Sequence, residues 1–337
     1  MNSETSFYIN PASFVSDQSI GLYDGAIGNA ILLFLLSGSS GDGVYKEMAL
    51  KLLDSVGNRI AAIQSTSFSD GLSGIGWGIE WIAQNDFLEI DTDEVLEEMD
   101  DFIYKSAIYS LTDDLSLATG ILGAITYFHS RYTSKNRHSH IYKNIFFGGI
   151  GTVLVNRILD KGKYPDLISA SKKYEEGELV TIGLVGVFLS HLLKIVSNNK
   201  KSPLEQALYD ITGFIHKFLE QNTGNETGNE TNGHKDVFLF LASCYYLCGR
   251  NHDLNIWQVR GISFIKEFQQ KATSVKYKIS KSIFLADLIL QQPTETDLND
   301  DEMPICLTSV TGKKIIQDVA LQNKINFDTA VSLLLLR

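Results

Sequence analysis

One short phrase recurs along this chain about every fifty residues: a small-residue Gly-x-x-Gly, or its worn remnant, followed by an apolar run. The copies read GLYDGAIGNAILLFLL from Gly21, DGLSGIGWGIEWI from Asp70, ATGILGAITYF from Ala118 and TIGLVGVFLSHLLKI from Thr181. Fainter ones read NGHKDVFLFLASCYYL from Asn232 and KISKSIFLADLIL from Lys278, which puts the motif positions at Gly25, Gly71, Gly120, Gly183, Gly233 and Ile279. A fixed period of this length in a sequence of helical character predicts an array of helix pairs.

The two stretches in each period differ, and the difference says which lies inside. The runs after the glycines (Ala26 to Leu36, Ile75 to Ala83, Ile121 to Phe128, Leu184 to Ile195) are apolar nearly all round, as helices surrounded by protein must be. The stretches between them (Tyr45 to Ile63, Glu94 to Leu111, Tyr142 to Asp160, Leu204 to Gln221, Ile256 to Gln270) set apolar residues at helical spacing among Lys, Glu and Asp. That is the pattern of an outer layer with one wet face. The expected fold is therefore all-α, an (α/α)6 toroid of six inner and about six outer helices, with the inner helices starting at one rim near the motif glycines. Residues 1–337 are read as a single domain, with the repeats over about 18–290 and a helical extension, 302–337, closing the ring.

Composition excludes more than it assigns. At 337 residues and 44% apolar the chain can bury a large core. It has neither a cationic start followed by a long apolar segment nor an apolar run near the roughly 20 residues that span a bilayer, so no membrane insertion is expected and cytoplasm is the default. Three cysteines (Cys244, Cys248, Cys306) without a targeting signal argue against a disulfide framework, and the sequons at Asn225 and Asn229 then mean only a polar loop. A net charge of −11 opposes nucleic-acid binding and makes any charged partner a basic one. The densest acidic segment, Asp91 to Asp101, reads as a solvated helix start, with a docking surface as the other reading.

The phrases GLYDGAIGNA, FSDGLSGIGWGIEWI and TIGLVGVFL, with their spacing and number of copies, resemble the lanthionine synthetase C-like proteins, the cyclase components and relatives of ribosomal peptide maturation. The resemblance implies an α/α barrel of bacterial type. Its cyclase members hold zinc at the mouth and add a cysteine thiol to a dehydrated serine or threonine of a peptide. Zinc there lowers the thiol pKa and makes the thiolate available near neutral pH.

Position by position, the ligands that the resemblance implies are replaced. The fifth-repeat zinc cysteine falls on Thr231 in the loop GNETGNETNG, and the sixth-repeat Cys-His pair falls on Tyr277 and Lys278. Ile182 stands where a histidine precedes the fourth-repeat glycine, and Ser116 where an aspartate is expected, with Asp114 two residues away. Three protein ligands in register are needed, so no metal and no cofactor is expected.

Other constellations carry a bland and a sharp reading together. Cys244 and Cys248 share a helix face and suit either core packing or a soft metal. His129 and His191 fall on inner helices three and four, as lumen histidines or as bases; Arg137, His138 and His140 form a polar connection. Trp77 and Trp81, four apart, make either core or a binding wall. Asp24 and Asp70 each precede a motif glycine, which places them on one rim as helix caps or as paired carboxylates for acid-base work or cation binding.

The expected function is a zinc-less binding or scaffold component of peptide maturation whose partner is a peptide substrate or a peptide-modifying enzyme. Asp24, Asp70, Trp77, Trp81 and His191 are the candidate substrate-binding residues, and Asp24, Asp70 and Asp114 the candidate catalytic ones. Two alternatives stand beside it. One is a zinc-dependent peptide cyclase with relocated ligands; the other is a carbohydrate-active toroid hydrolase using Asp24 and Asp70.

Overall fold

The computed structural model describes residues 19–23, 25–109, 114–136, 141–160, 168, 174–195, 201–223 and 235–272. Their helices, in chain order, are α1 (Ala26–Ser40), α2 (Gly43–Arg59), α3 (Leu72–Gln84), the short α4 (Thr92–Val95), α5 (Glu97–Tyr109), α6 (Ile121–Tyr132), α7 (Ile141–Asp160), α8 (Glu176–Ile195), α9 (Lys201–Thr223), α10 (Lys235–Asn251) and α11 (Asn255–Ala272). No strand occurs among the described residues. The sixth motif near Ile279, the tail 302–337 with Cys306, the loop 224–233 and residues Asp24, Arg137, His138 and His140 lie outside them.

Burial sorts these helices into two layers, as the sequence pattern requires. Along α1 the residues Ile27, Ala30, Ile31, Leu32, Leu33, Phe34, Leu35 and Leu36 are all buried, so every face of the helix meets protein. Its neighbour α2 buries only the stripe Ala49, Leu52 and Val56. The same contrast sets α3, α6, α8 and α10 inside and α5, α7, α9 and α11 outside. Each fully buried Leu, Ile or Phe contributes about 1.5–3 kcal/mol, so the inner layer carries most of the stabilisation.

Helix ends follow local chemistry. Gly41, at φ 71, ends α1 in the left-handed region and donates its amide to the Ser37 carbonyl. Asp42 then caps α2, accepting from the Val44 amide at 2.9 Å.

The fourth inner helix corrects the expected starting point. It begins at Glu176, upstream of Gly183, so this glycine lies mid-helix rather than at the rim. Glu176 and Glu178 in the first turn suit the helix dipole and let the helix extend. Gly183 and Gly186 serve packing instead: a Cβ at either would press on the Cys244 or Cys248 sulfur of α10.

The first three motif loops are joined through their backbones. The amides of Leu22 and Tyr23 both donate to the Ser69 carbonyl, at 2.9 and 2.8 Å. One repeat on, the amides of Phe68 and Ser69 both donate to the Ala118 carbonyl, at 2.8 and 3.0 Å. The register is the same at each step, so the rim repeats with the chain.

At the opposite end of the inner helices sits a buried ionic cluster. The fully buried Arg131 guanidinium of α6 binds Glu80 of α3 at 2.6 Å, Asp93 of α4 at 2.9 Å and Asp100 of α5 at 3.0 Å. Tyr127 donates its hydroxyl to Asp100 at 2.5 Å, and the guanidinium lies 5.1 Å from the Phe147 ring centre of α7. This revises the reading of Asp91 to Asp101 as a solvated run. Thr92, Asp93 and Asp100 are buried against Arg131, whereas Glu94, Glu97, Glu98 and Asp101 are exposed. Three carboxylates share one guanidinium, and burial drives the Asp100 carboxyl up even though Arg131 and Tyr127 pull it down.

Candidate functional rim

Each rim loop ends at a glycine because the chain there must pass close to its own backbone. A Cβ at Gly71 would lie 2.5 Å from the Ser65 carbonyl oxygen, and one at Gly120 would lie 2.4 Å from that of Asp114. No ordinary side chain fits. Immediately beyond, the Leu72 amide donates to the Ser65 carbonyl and the Ile121 amide to the Asp114 carbonyl, each at 2.9 Å. Ser65 and Asp114 are therefore equivalent, as are Ser67 and Ser116, and Asp70 and Thr119.

These equivalent positions hold one polar cluster built in two ways. In the second loop the Ser67 amide bonds the Ser65 hydroxyl at 3.2 Å, and the Asp70 carboxylate accepts from the hydroxyls of Ser67 and, at 2.9 Å, Ser69. In the third loop the Ser116 amide bonds the Asp114 carboxylate at 2.8 Å. The same carboxylate accepts from the Ser116 and Thr119 hydroxyls at 2.9 and 2.5 Å. The carboxylate has changed places within the cluster while the bond pattern remains.

The cap reading of Asp70 does not hold in its simple form. The residue at the cap position of α3 is Gly71, and the Asp70 carboxylate is satisfied by loop hydroxyls rather than by helix amides. Those hydroxyls, Ser67 first and Ser69 second, hold its carboxyl below the usual aspartate range. At Asp114 partial burial raises the pKa, but the Thr119 hydroxyl and the Ser116 amide and hydroxyl outweigh it, and the net shift is downward. Both acids are anionic at neutral pH and suited to accept from amides or cations, not to donate a proton.

The other predicted site residues separate from the rim. Trp77 is 2% exposed and packs on Phe68; Trp81 is 3% exposed and stacks on Phe87. Both rings lie in the core. His191 of α8 is half-buried and its ring centre lies 5.2 Å from that of His129 on α6, so the two histidines do meet between adjacent inner helices. Sequence reasoning passed over the rim hydroxyls, whose signal was the run STSFSD at 65–70 and its counterpart at 114–119. It also passed over Glu80 and Arg131; a charge inside an otherwise apolar inner helix was the signal that each needs a partner.

The described residues do not fit a zinc site. Ile182 is buried and apolar. Burial pushes the Cys244 thiol well up and the Cys248 thiol up to about 12, so neither offers a thiolate near neutral pH. Among the described residues no group of three or more His, Cys, Asp or Glu is arranged to hold a metal ion. Positions 231, 277 and 278 lie outside them.

The rim and its repeating loops coincide with a known sequence family: residues 16–146 match lanthionine synthetase C-like protein. The matched stretch holds the first three motif loops. Its fold is that of nisin cyclase, with a TM-score of 0.55 at 11% sequence identity over 96% of this chain and 90% of that one. No curated protein sequence matches the chain. No described helix is long and apolar enough to cross a membrane.

Proposed function

We propose that this lanthionine synthetase C-like chain acts in ribosomal peptide maturation as a zinc-less component that binds the peptide, or the enzyme modifying it, at the rim. The observation that carries this reading is the pair of preformed anionic clusters around Asp70 and Asp114. Both acids are held ionised by hydroxyls on loops whose backbones are tied together. A surface of that kind accepts amide and cationic groups of an extended peptide without reorganising. The hydrolase alternative needs one carboxyl with a raised pKa as proton donor, and of its two acids, Asp24 and Asp70, the latter is held ionised and does not supply it.

The test uses a synthetic peptide carrying one dehydroalanine, one cysteine and flanking lysines. Wild type should bind it, and Asp70→Asn with Asp114→Asn should weaken binding about tenfold, while the free-thiol content of the mixture falls no faster than without protein. Zinc-dependent acceleration of thiol loss would overturn the reading in favour of a cyclase with relocated ligands. Unchanged binding by the double variant would remove the rim from the function.

A further inference from the structure

On the outer wall, away from the rim, lies a groove of about 510 Å³ between α2 and the α4–α5 segment. Leu53 and Val56 of α2, with Ile60 just past its end, form one side, the buried Ile82 of α3 lies beneath, and Val95 of α4 and Met99 of α5 form the other side. The volume is that of a ligand-sized cleft. Val95 is 54% exposed at its edge, so apolar surface stands open to water there. Every charged residue lining the groove is a glutamate: Glu94, Glu97 and Glu98, all exposed.

Gly57 sits on the same wall within α2, and a Cβ there would meet nothing within 4 Å. Its φ is not positive and nothing crowds it. A helix-interior glycine weakens the helix relative to alanine, so the fold gains nothing from it. What the missing side chain leaves is an open groove. The helix dipole accounts for glutamates at the start of α5, but not for the apolar floor beneath them.

We propose that this groove docks a basic amphipathic helix of a partner polypeptide, its apolar residues against the partly exposed Leu53, Ile60, Val95 and Met99 and its lysines or arginines against Glu94, Glu97 and Glu98. The apolar wall from Leu53 to Ile60 runs about 10 Å, two helical turns, the length over which anchors at i, i+3 or i+4 and i+7 reach. Charge selects the occupant. A second copy of this chain, at net −11, brings acidic residues to an acidic edge, whereas a basic partner is complementary and steered in.

The proposal goes beyond the rim reading and is tested apart from it. The probe is a labelled helical peptide with Leu on one face and Lys on the other, measured by fluorescence polarisation at low and moderate salt. Wild type should bind it and should not bind the Leu/Glu counterpart. Gly57→Leu, which fills the groove, and the exposed pair Glu97→Lys with Glu98→Lys should each weaken binding about tenfold or more, and Asp70→Asn with Asp114→Asn should leave it unchanged. Circular dichroism confirms that each variant is folded. The proposal is overturned if wild type fails to bind, if the groove variants bind like wild type, or if Gly57→Leu alters only self-association in sedimentation.

Discussion

Asp114 stands in the third rim loop where Ser65 stands in the second, and the carboxylate that Ser65 lacks is supplied across the cluster by Asp70. The expected result of this equivalence is a working transplant. Asp70→Ala should destabilise by about 1–2 kcal/mol, because the Ser67 and Ser69 hydroxyls lose their acceptor. Ser65→Asp with Asp70→Thr, which copies the third loop into the second, should recover most of that loss in urea unfolding. A double variant no better than Asp70→Ala refutes the equivalence.

Arg131 should prove the most sensitive side chain outside the apolar core. Arg131→Met leaves the buried Glu80, Asp93 and Asp100 without their common cation and should cost about 3–5 kcal/mol. Glu80→Gln removes one of three competing negative charges while keeping an acceptor for the guanidinium, so its cost should be far smaller. Equal destabilisation by the two, read from urea midpoints, would contradict the shared-cation arrangement.

Most of the layering was legible in the sequence because apolar periodicity reports burial directly, and the first three inner helices start at the glycines that mark them. The start of α8 was not legible. In the first three copies the glycine permits a loop to touch its own carbonyl, but at Gly183 the same letter makes room for a cysteine of the next helix. Spacing cannot separate these uses. The rim acids were visible as letters; their hydroxyl partners were not, since a hydrogen-bond acceptor reveals its donors only once the loop is folded. Arg131 and its acids were hidden for a further reason, being brought together from four helices.

Acid should act on the two ends of the inner helices with opposite sign. The rim carboxyls are lowered, so their contribution is present above the ordinary aspartate value of about 3.9 and is lost as pH falls through their folded values. The stability difference between wild type and Ser67→Ala should shrink on acidification over that range. Asp100 is raised, so its protonated form favours the fold below about 3.9 and that contribution is lost as pH rises through its folded value. Wild-type stability measured against Asp100→Asn should accordingly decline with rising pH there. A constant difference in either series refutes the corresponding assignment.

Glycines of the two kinds should respond oppositely to alanine. A Cβ at Gly74 would sit 1.8 Å from the Phe68 carbonyl oxygen, so Gly74→Ala should cost about 1–3 kcal/mol or more. At Gly213, inside α9, a Cβ meets nothing within 4 Å, and Gly213→Ala should stabilise by about 0.5–1 kcal/mol. Thermal unfolding of the two variants settles the sign of each.

The bonds that tie the first three rim loops together run from amides to the carbonyls of Ser69 and Ala118, and they use no side-chain atom. Heredity can therefore rewrite the letters of these repeats without loosening the ring. A serine in one copy and an alanine in the next hold the same joint equally well. Copies of such a unit are free to drift apart until only a few glycines betray their kinship, and side chains at the mouth can be exchanged at a modest energetic cost while the joints between the loops stay in place.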